Sequence, residues 1–136
     1  MRIFLQGILA GAVIFVVSFA FSFLLQFLLP NLQQEYVNSM FRPWTDPLMS
    51  LYYVYPFILG IILSFLWTKV KPLFKDKSFW KRGAKFGLLY WVASSIPGMF
   101  ITYSSFNVSL TMVVVWSIGG LLEGIAAGIL LARVNK

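Results

Sequence analysis

The chain has 136 residues, of which 60% are hydrophobic, 18% aromatic and only 11% charged, with a net charge of +7. A soluble domain is about one quarter charged, so this composition indicates that a lipid bilayer is the solvent. The sequence contains no cysteine and no histidine, which excludes thiolate chemistry, disulfides and the usual haem, metal and general-base residues. We therefore expect no cofactor, no metal site and no catalytic centre, since no base accompanies the serines and threonines.

The first predicted span is the apolar run 3–29, which is interrupted only by glutamines and small residues. At 1.5 Å per residue it reaches roughly 40 Å, more than the ~30 Å hydrocarbon core of a bilayer. It is too long for the apolar region of a signal peptide, and no A-x-A site follows it, so we predict a membrane helix. Gly7 and Gly11 form a GxxxG pair beside a row of phenylalanines, which favours a helix-packing face.

The first loop has two local signals. Asn31 followed by apolar residues at helical spacing predicts a short interfacial helix over 32–41, with an ordered loop as the alternative. Asp46 followed by Pro47 predicts a helix start, with the aspartate as N-cap and the proline in the first turn.

The second predicted span covers 47–69. Pro56 is expected to kink this helix or to loosen its start, and Gly60 gives it a small-residue packing position. A strongly basic segment follows over 69–85, in which Asp76 is the one acidic residue.

The third predicted span covers 79–103. Gly83 and Gly87 form a second GxxxG pair near its start. Pro97 and Gly98 predict a break or kink in its second half, where serines or neighbouring groups satisfy the freed backbone.

The fourth predicted span covers 108–132 and contains a row of packing glycines at Gly120, Gly124 and Gly128. It also contains Glu123, the one acidic residue inside any apolar segment. An ionised carboxylate at this depth costs about 2.5–3.5 kcal/mol, so Glu123 must face protein or water, be paired, or be protonated. The candidate partners at reachable depth are Lys85 and Tyr90, with Gln6 as a weaker candidate. We expect Glu123 to be a buried hydrogen-bonding or ion-pair tie between the third and fourth helices, with a proton- or cation-binding carboxylate as the alternative.

The basic residues predict the orientation of the chain. Four spans put both termini on one side, together with ten of the eleven basic residues, and only Arg42 lies on the other side. This distribution predicts cytoplasmic termini in a bacterial inner membrane. It also predicts contact with anionic lipid headgroups and, because no soluble domain presents the charge, no binding of nucleic acid.

A tandem repeat of two helical hairpins is a further prediction. The first and third spans both begin with a GxxxG pair, and the second and fourth spans end alike. The alignment matches Gly60 with Gly124 and therefore Leu59 with Glu123, so the carboxylate is the position at which the halves differ.

The sequence thus predicts an all-α bundle of four transmembrane helices. The favoured function is that of a non-enzymatic accessory or assembly subunit, or a self-associating membrane protein, that acts through its glycine-rich faces. It would form a homo-oligomer or join a larger membrane complex. One alternative is an oligomeric transporter or channel for protons or small cations that uses Glu123. A second alternative is the binding of a lipid or hydrophobic ligand at the phenylalanine row and the Trp91/Trp116 pair.

Overall fold

The computed structural model describes residues 1–37 and 40–136, which are all-helical in their regular structure. Four of the helical segments are long and apolar enough to cross a membrane. These segments are Arg2–Leu28, Pro47–Leu73, Phe79–Ser105 and Leu110–Val134. The prediction of an all-α protein with four helices of membrane-spanning length is confirmed.

The helices are numbered in chain order. They are α1 (Arg2–Leu28), α2 (Leu32–Glu35), α3 (Leu51–Val70), α4 (Phe79–Tyr90), α5 (Ile96–Ser105) and α6 (Leu110–Val134). Turns of 3₁₀ helix at Pro47–Ser50 and Lys71–Leu73 extend α3 at both ends. A π-helical turn at Trp91–Ser95 joins α4 to α5.

The predicted interfacial helix over 32–41 is a single helical turn, Leu32–Glu35. Residues 38 and 39 of the predicted helix lie outside the described residues. The first residue of the turn is buried against α6, and Glu35 Oε1 accepts a hydrogen bond from the Ser109 hydroxyl at 2.7 Å. The loop is therefore docked onto the start of α6.

Asp46 caps the start of the second span, as the sequence predicts. Its Oδ1 accepts a hydrogen bond from the Leu48 N–H at 2.9 Å, and Pro47 occupies the first turn. Arg42 Nη1 donates to the other carboxylate oxygen, also at 2.9 Å. Beyond this cap, α3 continues through the buried Pro56.

This cap gives a pH-dependent prediction. The pKa of Asp46 is held below its ordinary value of 3.8, first by the Leu48 N–H and then by Arg42. A carboxyl group whose folded pKa is lowered stabilises the fold above its ordinary pKa, and the contribution disappears as pH falls through the lowered value. We expect the hydrogen-exchange protection factor of the Leu48 amide to fall as pH decreases below 3.8. Asp46→Asn keeps a capping oxygen and should remove this pH dependence; an unchanged dependence would contradict the assignment.

The bundle consists of two antiparallel hairpins, α1 with α3 and α4 with α6, which meet chiefly through α1 and α6. Both termini lie at the same end. Gln6 Nε2 donates to Val134 O at 3.2 Å, and Trp67 Nε1 donates to Asn135 O at 2.7 Å. We refer to this end, with the basic segment, as the terminal end and to the opposite end as the loop end.

The main core lies in the half of the bundle near the terminal end. Trp67 is fully buried there, with its ring centroid 5.7 Å from Phe74 and 5.2 Å from Phe86. A smaller cluster around Met112 lies toward the loop end, where the first loop covers α6. Helix packing is therefore tightest near the termini.

The predicted break in the third span is the π-helical turn. Ile96 N–H donates to Trp91 O across this turn, and Pro97 then occupies the first turn of α5. The wider turn allows proline, which has no N–H to donate, to begin a new helical segment. Gly98 has no atom within 4 Å of the position where a Cβ would lie, so it takes no part in close packing.

Candidate functional site

The first hairpin is closed by three glycines. A Cβ on Gly60 would meet Gly7 O and Gly11 N, and it would lie 2.8 Å from Gly11 Cα. These neighbours are backbone atoms, which cannot rotate away as a side chain would. The contact between α1 and α3 therefore requires glycine at this position.

The second hairpin has the same construction. A Cβ on Gly128 would meet Gly83 O and would lie 3.1 Å from Gly87 N, while Gly124 lies over the Gly87 carbonyl. Gly120 instead packs against the π-helical turn. All the glycines predicted to pack are thus in contact with other helical segments of the same chain.

The glycine contacts also show which positions of the two hairpins correspond. The Gly7–Ile61 contact of the first hairpin corresponds to the Gly83–Ile129 contact of the second. The Gly11–Phe57 contact corresponds in the same way to the Gly87–Ile125 contact. This register matches Gly60 with Gly128, one helical turn away from the sequence alignment with Gly124. It also matches Tyr55 with Glu123. The two matches differ by one helical turn because glycines recur every four residues in α6.

Glu123 is half-buried near the middle of α6, and Ser18 on α1 lies close enough for its side chain to interact with the carboxyl group. The side chains of Tyr55 on α3 and Tyr90 on α4 lie close enough to interact, and Tyr55 lies within electrostatic range of Glu123. Each of the four long helical segments thus contributes one polar side chain. We call these four residues the polar cluster.

The polar cluster lies at mid-span. The rise from Glu123 to the end of α6 at Val134 is roughly 16 Å, about half of a ~30 Å hydrocarbon core. Tyr55 is 53% exposed on the bundle surface, so the cluster extends to the face of the bundle that would contact lipid chains in a bilayer.

Lys85 is not part of this cluster. Its Nζ donates to Asp76 Oδ2 at 2.7 Å at the terminal end, with 58% of the lysine side chain exposed. The pKa of Asp76 is lowered chiefly by this hydrogen bond. Of the other candidate partners, Tyr90 joins the cluster through Tyr55, whereas Gln6 is bonded to the backbone of α6.

Glu123 has no cationic partner among residues 1–37 and 40–136, since neither of their salt bridges includes it. In a bilayer, such a carboxylate is stable only when it carries a proton or binds a cation. The described residues contain no group of three acidic side chains. One carboxylate with hydroxyl neighbours suits a proton or a monovalent cation better than a divalent ion, which requires more oxygen ligands.

Neither a family model, a curated protein nor a solved structure matches this chain.

The aromatic residues predicted to bind a hydrophobic ligand do not form one site. Trp91 Nε1 donates to Ser117 O, and Trp116 Nε1 donates to Tyr36 OH, each at 2.7 Å. Three members of the phenylalanine row on α1 face outward, with exposed fractions of 66% at Phe19, 56% at Phe23 and 70% at Phe27. The fourth member, Phe15, packs against Tyr53 and Phe57 on α3. The three exposed rings suit contact with lipid chains along the bundle surface.

The sequence predictions missed two members of the polar cluster, Ser18 and Tyr55. Ser18 belongs to a row of small and polar residues on α1 that is equally typical of a packing face. Tyr55 follows Tyr52 and Tyr53, and the three together are typical of an interfacial aromatic belt. The sequence signal that could have identified both residues is a polar side chain deep inside an apolar helix.

Proposed function

We propose that this chain is a non-enzymatic integral membrane protein with four spans and cytoplasmic termini, in a bacterial inner membrane. The support is the charge distribution. All the basic residues except Arg42 lie near the termini, in the connection between the second and third spans, or in the helical turns next to that connection. Such an excess on one side is typical of the cytoplasmic face.

We propose further that the protein is a carrier or channel for protons or small monovalent cations, with Glu123 as the binding carboxylate. The observation that supports this function is the mid-span carboxylate without a cationic partner, beside hydroxyl groups from the other helices. Glu123 takes up the ion, the Ser18 hydroxyl donates to the carboxylate, and Tyr90 holds Tyr55 nearby.

The accessory-subunit hypothesis rested on glycine faces that a single chain did not need. In the structure those glycine faces pack against other helices of the same chain, so they are no longer an argument for a partner protein. Four helices seldom enclose an ion pathway alone, and we therefore propose that the carrier or channel is a homo-oligomer. We do not favour the lipid-binding alternative, because the indole N–H groups of Trp91 and Trp116 are each bonded within the protein and three of the phenylalanines on α1 are exposed on the bundle surface.

We also propose that the two hairpins are a tandem repeat. The matching glycine contacts support this proposal, with Gly60 equivalent to Gly128 and Tyr55 equivalent to Glu123. The carboxylate then replaces a tyrosine hydroxyl at one of two equivalent positions. The ion-binding function is proposed to have arisen through this difference between the halves.

Glu123→Gln tests the proposed function. In proteoliposomes, we expect the flux of protons, sodium or potassium above the protein-free background to fall at least tenfold, about 1.4 kcal/mol. An amide neither holds a proton for transfer nor neutralises a cation, yet it can still interact with Ser18, so the fold should persist. Flux is measured with a pH-sensitive dye and with ion-selective indicators.

Glu35→Gln is the matched control, because this glutamate lies at the loop end beside Ser109 and the same chemical change should leave flux unaltered. Tyr55→Phe removes one hydroxyl of the cluster and should lower flux less than Glu123→Gln does. Unchanged flux and pH dependence in Glu123→Gln would overturn the proposal. The absence of wild-type flux for all three ions would also overturn it.

A further inference from the structure

A basic cavity of about 590 Å³ opens at the terminal end, beside the turn Lys71–Leu73 and the start of α4. Phe74 supplies an apolar wall, and Asp76 is the one acidic residue that lines it. Five basic side chains line the same space: Lys71, Lys75, Lys77, Arg82 and Lys136. We call this cavity the basic basin.

The charge of the basic basin is not balanced by its own acidic residue. Asp76 forms its ion pair with Lys85 at 2.7 Å, and Lys85 does not line the basin. The basin is therefore lined by five cationic side chains and one acidic side chain, and that acidic side chain is paired with a lysine outside the basin. Such an excess of positive charge attracts an anion.

Two of these cations are held in place. Lys71 Nζ donates to Asn135 Oδ1 at 2.8 Å and to Lys136 O at 2.7 Å. The Arg82 guanidinium lies over the Trp67 ring, 6.0 Å from its centroid. A positioned cation loses less side-chain freedom on binding an anion than a freely rotating one.

Arg82 has unused hydrogen-bonding capacity. Its one described hydrogen bond, from Nη2 to Ala132 O, is long at 3.4 Å, and its buried Nε has no acceptor within the described ranges. A guanidinium has five N–H donors in a planar fork that matches phosphate oxygens. The N–H groups of Arg82 that form no hydrogen bond within the described residues therefore suit a phosphate group at the wall of the basin.

We propose that the basic basin binds the phosphate group of a ligand with net negative charge, held by Arg82 with Lys75 and Lys77. The basin lies where the helices end, beside the exposed Trp80 that is typical of a headgroup region. The headgroup of an anionic phospholipid and a soluble phosphate ester share this chemistry. The proposal rests on the basin alone and is independent of ion binding at Glu123.

Two double variants test the proposal. Lys75→Gln with Lys77→Gln removes two cations that line the basin, whereas Lys69→Gln with Lys81→Gln removes two from the same segment outside it. All four lysines are exposed, so both variants should fold. Native mass spectrometry measures the phosphatidylglycerol retained from mixed phosphatidylglycerol and phosphatidylcholine nanodiscs. Calorimetry measures the binding of inorganic phosphate and glycerol phosphate in phosphatidylcholine nanodiscs.

We expect the basin variant to bind the phosphate-bearing probe about tenfold more weakly than wild type, about 1.4 kcal/mol, and the control variant less than about twofold more weakly. Loss confined to phosphatidylglycerol identifies the lipid headgroup as the source, and loss of phosphate or glycerol phosphate binding identifies a soluble ester. Equal losses in the two variants would show diffuse attraction to charge and overturn the proposal. Retention of phosphatidylcholine equal to that of phosphatidylglycerol, with no soluble phosphate bound, would also overturn it.

Discussion

Replacing Gly60 with alanine is expected to lower the free energy of unfolding by about 3 kcal/mol or more. The added Cβ would meet backbone atoms of Gly7 and Gly11, with Gly11 Cα at 2.8 Å. No side-chain rotation relieves such a contact, so α1 and α3 must separate. Between membrane helices, van der Waals contact supplies much of the association energy, and separation removes it along the whole seam. Denaturant-induced unfolding of the purified protein, followed by tryptophan fluorescence, measures the change.

Gly98→Ala is the matched control for this substitution. It makes the same chemical change inside a helix, but no atom lies within 4 Å of the new Cβ. Alanine is favoured over glycine in a helix by about 1 kcal/mol, so the stability should be equal to that of wild type or higher. Gly128→Ala should behave like Gly60→Ala, because the two glycines make equivalent contacts. Equal stability of Gly60→Ala and Gly98→Ala would contradict the close seam.

The helices themselves were predictable because their signals are local. A long apolar run requires helical hydrogen bonding in a bilayer wherever its neighbours lie. The start at Asp46 and Pro47 was predictable for the same reason, since the cap is formed within the next two residues. The helix predicted over 32–41 is longer than the single turn Leu32–Glu35 in the structure, because the end of that turn depends on docking against α6.

The register between helices could not be read from the sequence. Glycines at 120, 124 and 128 place an equivalent packing position on every turn of α6, so a shift by one turn leaves the pattern almost unchanged. The contacts across α4 and α6 remove this ambiguity and match Gly60 with Gly128. Only this register matches Tyr55, and not Leu59, with Glu123.

Glu123 was predictable as the residue to examine because a carboxylate inside an apolar helix is costly wherever it lies. Its partners were not predictable. The Lys85 side chain is long enough to extend either toward mid-span or toward the terminal end. It extends toward the terminal end, where it pairs with Asp76 and its ammonium group remains hydrated. Ser18 and Tyr55 join Glu123 only through the packing of α1 and α3 near α6.

Trp67→Ala is expected to lower the free energy of unfolding by about 3–5 kcal/mol. The side chain is fully buried, and its ring lies between Phe74, Phe86 and the Arg82 guanidinium. Its Nε1 also donates to Asn135 O at 2.7 Å, which joins the end of α3 to the end of α6. Alanine leaves a large cavity and an unpaired carbonyl at the point where both hairpins meet.

Trp80→Ala provides the control, because this tryptophan is 59% exposed and its loss should change stability by less than about 1 kcal/mol. Trp67→Phe should retain most of the packing and lose the hydrogen bond, which contributes about 1 kcal/mol. Unfolding of all three variants in one denaturant series measures the order of stability. Trp67→Ala as stable as Trp80→Ala would show that the terminal end is held together by other contacts.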